Sequence, residues 1–175
     1  MSRLSTLSPQ AIKAMFSSET DEQLITLITL EDPENLNQPI RLANGFTGRL
    51  TNLTTDDEVV YGVTSRGNDY IFLPLDIGLP NDDDAGLGDC TLTLNYVTSQ
   101  AIELVRSHLF TSTPVIIELV LGSTPNYVEA SFTGFYAVNA TYNSQSITLN
   151  LSPINYNREP FPCYNFTPNY FPGMF

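Results

Sequence analysis

The residues able to carry chemistry are few in this chain of 175 residues, and their spacing argues against catalysis. His108 is the only histidine. It lies near the end of a segment with helical periodicity, where the helix dipole favours an imidazolium, and no nucleophile motif surrounds it. The two cysteines, Cys90 and Cys163, stand far outside any Cys-x-x-Cys spacing and are expected as two reduced, unpaired thiols. There is no Gly-rich phosphate loop, no His-Glu-x-x-His and no nucleophile elbow. Neither an enzyme nor a bound cofactor is expected. Asp82, Asp83 and Asp84, in a segment that runs from Asn81 to Asp89 with two glycines, resemble the oxygen ligands of a calcium loop without the EF-hand spacing. A solvated acidic loop is the plainer reading. Asp56, Asp57 and Glu58 read as a second acidic turn.

Charge narrows the field further. Charged residues make up 15% of the chain against a usual ~25%, and 7 basic side chains face 19 acidic ones for a net −12. Nucleic-acid binding needs a basic stripe to neutralise phosphates. Here Arg3, Lys13, Arg41, Arg49, Arg66, Arg106 and Arg158 are scattered singly, so specific nucleic-acid binding is not expected. No apolar run approaches a membrane span or a signal-peptide core, so synthesis in a cytoplasm and no membrane partner are expected. A surface poor in charge and rich in Thr, Ser and Asn suits contact with other copies or partners.

The elements that would position these residues are mostly strands. Ser8 as N-cap, Pro9 at the first helical position and Ile12, Met15 and Phe16 at helical spacing predict a short amphipathic helix. Leu24 to Leu30 is rich in β-branched residues and is stopped by Asp32-Pro33. Further strands are expected at Ile40–Leu42, Gly48–Leu53, Val59–Thr64, Tyr70–Ile77, Cys90–Val97, Val115–Leu121, Val128–Phe132, Phe135–Thr141 and Ile147–Leu151. Between them, Ile102, Val105 and Leu109 share a face of a second, central helix. The fold class is therefore mainly β: a β-barrel or β-sandwich with one central flanking helix and a short N-terminal helix, over residues 1–152.

Residues 153–175 have a different texture. Proline at 153, 160, 162, 168 and 172 forbids regular helix and central strand. Yet Tyr156, Phe161, Tyr164, Phe166, Tyr170, Phe171 and Phe175 make the segment far too aromatic for a solvated linker. It reads as an extended, pre-stiffened C-terminal arm that either anchors its rings in the grooves of a partner or wraps its own domain.

This arm also carries a resemblance. Glu159-Pro160-Phe161-Pro162, then Phe166-Thr167-Pro168, then Phe171-Pro172-Gly173-Met174-Phe175 is similar to the closing signature of a family of small tail proteins of tailed bacteriophages, of the distal-tail or minor tail kind. Leu7 to Glu19, Pro39 to Asn44, and Asn95-Tyr96-Val97 with the helix through Ile102 and Arg106 fit the same family, so the resemblance spans nearly the whole chain. It implies a β-barrel or sandwich joined to a helix, assembly into a ring, and a place in the virion tail after assembly in the host cytoplasm. The expected partners are other copies, six in preference to three, and tail proteins such as the tube, the tip hub or the tape measure. On this reading Glu159, Pro160, Phe161, Pro162, Phe166, Pro168, Phe171, Pro172, Gly173 and Phe175 form a subunit interface. Copies carrying −12 each would then give a ring an acidic bore for passing DNA, with Asp82, Asp83, Asp84, Asp56, Asp57 and Glu58 as its candidate lining. Related tip proteins sometimes hold an iron–sulfur cluster on four cysteines, a set that Cys90 and Cys163 cannot supply. The competing expectation is a carbohydrate-binding β-sandwich that reads a host surface with aromatic platforms and a calcium loop.

Overall fold

The computed structural model describes residues 7–31, 39–51, 59–79, 82–83, 86–88, 90–95, 113–143, 146–153 and 173. Among these residues one helix, α1 (Pro9–Phe16), precedes twelve strands: β1 (Leu24–Leu30), β2 (Ile40–Ala43), β3 (Gly48–Arg49), β4 (Tyr61–Ser65), β5 (Asn68–Phe72), β6 (Leu75–Gly78), β7 (Asp82–Asp83), β8 (Gly86–Leu87), β9 (Cys90–Leu94), β10 (Thr113–Leu121), β11 (Val128–Tyr142) and β12 (Ile147–Pro153). Ten of them form a single mixed sheet in the order β3-β4-β5-β2-β1-β10-β11-β12-β9-β6, and β7 pairs with β8 apart from it. The chain is mainly β, as expected. Where a barrel, closed or partly open, or a sandwich was expected, the described residues form one open ten-stranded sheet and no closed barrel. The expected central helix lies outside the described residues.

The open sheet is nevertheless rolled, and the chain itself shows why. β5 and β6 stand third and last in the sheet order, yet only Leu73 and Pro74 separate them. Leu73 N donates to Ala43 O at the end of β2, and Pro74 O accepts from Asn95 N beyond the end of β9, both at 3.0 Å. Two residues therefore carry the chain from the β2 side of the sheet to the β9 side. The run expected as one strand, Tyr70–Ile77, is thus two strands with different neighbours. Proline falls where no ladder amide is required.

Rolling places one large apolar cluster inside. Ile28 and Leu30 of β1, Leu92 and Leu94 of β9, Val115 and Ile117 of β10, Phe132 and Phe135 of β11, and Leu149 and Leu151 of β12 meet there, with Leu42 of β2 and Leu75 of β6. β1 has no polar face, because its other side is covered too. Ile25 and Leu27 pack with Ala43, Val63, Tyr70 and Val120 in a second, smaller cluster beneath the β4–β5 hairpin. This accounts for the nearly unbroken apolar run in β1, since a strand covered on both faces loses its alternation.

β11 shows where a local break misleads. Its fifteen residues were expected as two strands parted at Thr133-Gly134. The pairing with β10 runs from Ile117↔Phe132 to Val115↔Phe135, leaving two residues opposite one. Gly134 sits in this bulge at φ +84°, a conformation costly for any residue with a Cβ. The strand bends there and continues. β3 is shorter than expected for Gly48–Leu53, and β9 ends at Leu94, before Asn95.

Candidate interaction surface

The surface is built from α1 outward. Ser8 caps the helix, its Oγ accepting from Ala11 N at 3.1 Å. An eight-residue helix is too short to stand alone in water. Glu129, buried in the second bulge between β10 and β11, holds it: Ser8 N donates to Glu129 Oε2 at 2.8 Å and Ser8 Oγ to Oε1 at 2.5 Å. This tether joins residues 121 positions apart, and nothing local in the sequence announces it.

The tether also fixes which side of α1 faces the sheet. Ala11 is the buried residue, Ile12 is half-buried, and Met15 and Phe16 are 66% and 76% exposed. The amphipathic helix forms as expected, but of its apolar residues Ile12, Met15 and Phe16 none is fully buried. Amphipathicity names an apolar stripe without saying what covers it, and the cap contact with Glu129 turns most of this stripe outward.

Beside α1 lies a groove of about 600 Å³, bounded by Lys13, Ala14, the segment from Ser17 to Gln23, Phe46 and Gly122. Its floor is close backbone packing, with Gly122 N donating to Gln23 O at 2.8 Å. Glu19, Asp21 and Glu22 outnumber Lys13 along its wall, so it is acidic. Phe46 joins the groove to an aromatic cluster. Its ring centroid lies 5.6 Å from that of Tyr61 and 5.2 Å from that of Phe72, tilted by 58° and 64°. Phe46 and Tyr61 are about half exposed. Scattered exposed apolar residues need no explanation, but rings clustered at the lip of a groove mark a contact surface.

The β4–β5 hairpin that carries Tyr61 and Phe72 is pinned at its turn. Arg66 and Gly67 both have positive φ, +51° and +79°, as a two-residue mirror-image turn requires. Arginine is a poor choice there on backbone grounds. Its guanidinium forms a two-pronged ion pair with Glu118 of β10, Nη1 to Oε1 at 3.0 Å and Nη2 to Oε2. Arg66 N also donates to Asn126 Oδ1 at 2.7 Å, and Ser65 Oγ to Pro125 O at 2.6 Å. Hydrogen bonding to Glu118 raises the Arg66 pKa, keeping the latch charged.

The residues singled out from sequence fall mostly elsewhere. Of the arm, Gly173 is described, and it is exposed. Glu159, Pro160, Phe161, Pro162, Phe166, Pro168, Phe171, Pro172 and Phe175 lie outside the described residues, as do Asp56, Asp57, Glu58, Asp84, His108 and Cys163. Asp82 and Asp83 pair with Leu87 and Gly86, so the expected acidic loop contains a short β-ribbon. Cys90 is a free thiol inside the large cluster, and burial pushes its pKa up from 9.0 to about 11. Among the described residues no three His, Cys, Asp or Glu side chains gather as metal ligands, and no helix is long and apolar enough to cross a membrane. The groove and its rings were missed because their parts come from separate segments.

No protein-family model matches the chain, and no curated protein sequence matches it.

Proposed function

We propose that this protein is a structural component of a bacteriophage tail, a distal-tail or tail-tip connector that assembles as a ring and joins the tail tube to the tip or baseplate. It is not an enzyme and takes no cofactor. Six copies are favoured over three, and the acid-rich segments with Asp56, Asp57, Glu58, Asp82, Asp83 and Asp84 line the bore along which DNA passes. The arm, from Glu159 through Phe175, is the subunit clasp.

The observation that carries this reading is the set of large apolar side chains turned outward, Met15 and Phe16 on α1 and, apart from them, Phe46 and Tyr61 at the lip of the groove, in a chain with few charges. Such side chains gain free energy by being covered, and the Pro-rich aromatic arm has the composition to cover them. The rolled open sheet, in which Leu73 and Pro74 join β5 to β6 across it, is a body from which a ring can be built. The competing glycan-binding reading has weaker support, because rings tilted by 58° and 64° offer a sugar no single flat platform.

Light scattering on the purified full-length protein tests the proposal. A discrete hexamer or trimer, with the protein recovered in purified tails, is the expected result. A monomer at high concentration that is also missing from tails overturns it.

A further inference from the structure

We infer that the groove between α1 and Phe46 receives the Pro/aromatic arm, residues 154–175, of a neighbouring copy. This rests on the ring reading above and adds to it the receptor for the clasp.

The course of the chain supports this assignment. β12 starts beside Tyr142, ends with Pro153 beside Phe135, and the register continues through Val115 to Leu30 on β1. The chain thus leaves the body heading toward the end of the sheet that holds Leu24, Leu121 and the groove. In a ring, that end of one copy lies level with the same end of the next. Twenty-two residues from Ile154 to Phe175 span roughly 70 Å when extended, about three times the length of β1, which is ample to cross to a neighbour.

Charge favours the same occupant. Two bodies from chains of net −12 repel each other. The side chains of residues 154–175 carry one positive and one negative charge, Arg158 and Glu159, so the arm joins like-charged bodies without adding to the repulsion. Arg158, flanked by Tyr156 and Phe161, matches a groove with Glu19, Asp21 and Glu22 on its wall and the Phe46 ring at its lip. Proline reduces the entropy lost when such a segment is ordered.

The test uses the full chain with Phe46 replaced by photoreactive benzoylphenylalanine, which keeps an aromatic ring against Tyr61 and Phe72. The expected product of irradiation is a covalent dimer on denaturing electrophoresis whose joined peptide maps within residues 154–175. Phe46→Ser, with an unchanged melting temperature, should weaken self-association at least tenfold. If the protein is oligomeric by light scattering but cross-links only within one copy or to another segment, this inference fails and the ring reading stands. A monomer under all conditions overturns both.

Discussion

The two faces of β1 are held in different ways. Inside the roll, fifteen buried residues from seven strands meet with no charge among them. On the outer face only six do, and that cluster is rimmed by the Arg66–Glu118 pair, the Ser65 bond to Pro125 and the Tyr70–Thr29 hydroxyl contact. Buried area alone suffices where it is large. Where it is small, as beneath a single hairpin, polar contacts must fix the geometry. The aromatic lip of the groove rides on that latched hairpin, through Tyr61 and Phe72, while the roll behind it acts as the rigid support.

The largest effect expected from breaking this contrast is in the roll. Phe135 is fully buried there, and Phe135→Ala should cost about 3–5 kcal/mol in urea denaturation through lost transfer energy and the cavity left behind. A loss below 1 kcal/mol would mean that the interior is loosely packed. Next is the latch: Arg66→Ala should cost about 1–2 kcal/mol, discounted because the guanidinium is partly exposed while Glu118 stays buried. Arg66→Gly should recover part of that, since glycine relieves the φ of +51°. Hydrogen exchange should quicken in the hairpin from Tyr61 to Phe72 and stay unchanged in β12.

A smaller, pH-dependent effect reports on the roll without disturbing it. The Cys90 thiol is held protonated by burial, with its pKa raised from 9.0 to about 11. Below pH 9 folded and unfolded chains are equally protonated at this site, and its contribution is constant. Between pH 9 and about 11 the unfolded chain ionises first, so stability falls as pH rises. Cys90→Ala should flatten the stability curve in that window, and thiol reagents at pH 8 should reach Cys90 only on unfolding.

How much of this could be read from the chain follows the range of each interaction. The Ser8-Pro9 start of α1 and the run of β1 are local signals, and both elements form where expected. The roll is not local: it depends on Leu73 and Pro74 bonding to two strands at opposite sides of the sheet. The Gly134 bulge resembles a strand end until its partner is known. Arg66 looked like one more scattered cation, because Glu118 lies 52 positions away. The orientation of α1 was lost for the same reason, with Glu129 at a distance of 121 positions.

That orientation sets the smallest change in stability and the sharpest contrast with the roll. Phe16 is as apolar as Phe135 but 76% exposed. Phe16→Ser should therefore shift folding stability by no more than about 0.5 kcal/mol. Its effect should appear in self-association, read by light scattering over a dilution series, as earlier dissociation of the oligomer. Loss of folding stability comparable to that of Phe135→Ala would show that the stripe of α1 is covered within its own subunit. Unchanged folding with weakened association would show that the stripe is covered by another copy. The same aromatic residue type would then serve the interior at position 135 and the assembly at position 16, with the cap contact between Ser8 and Glu129 holding α1 in the orientation that separates the two.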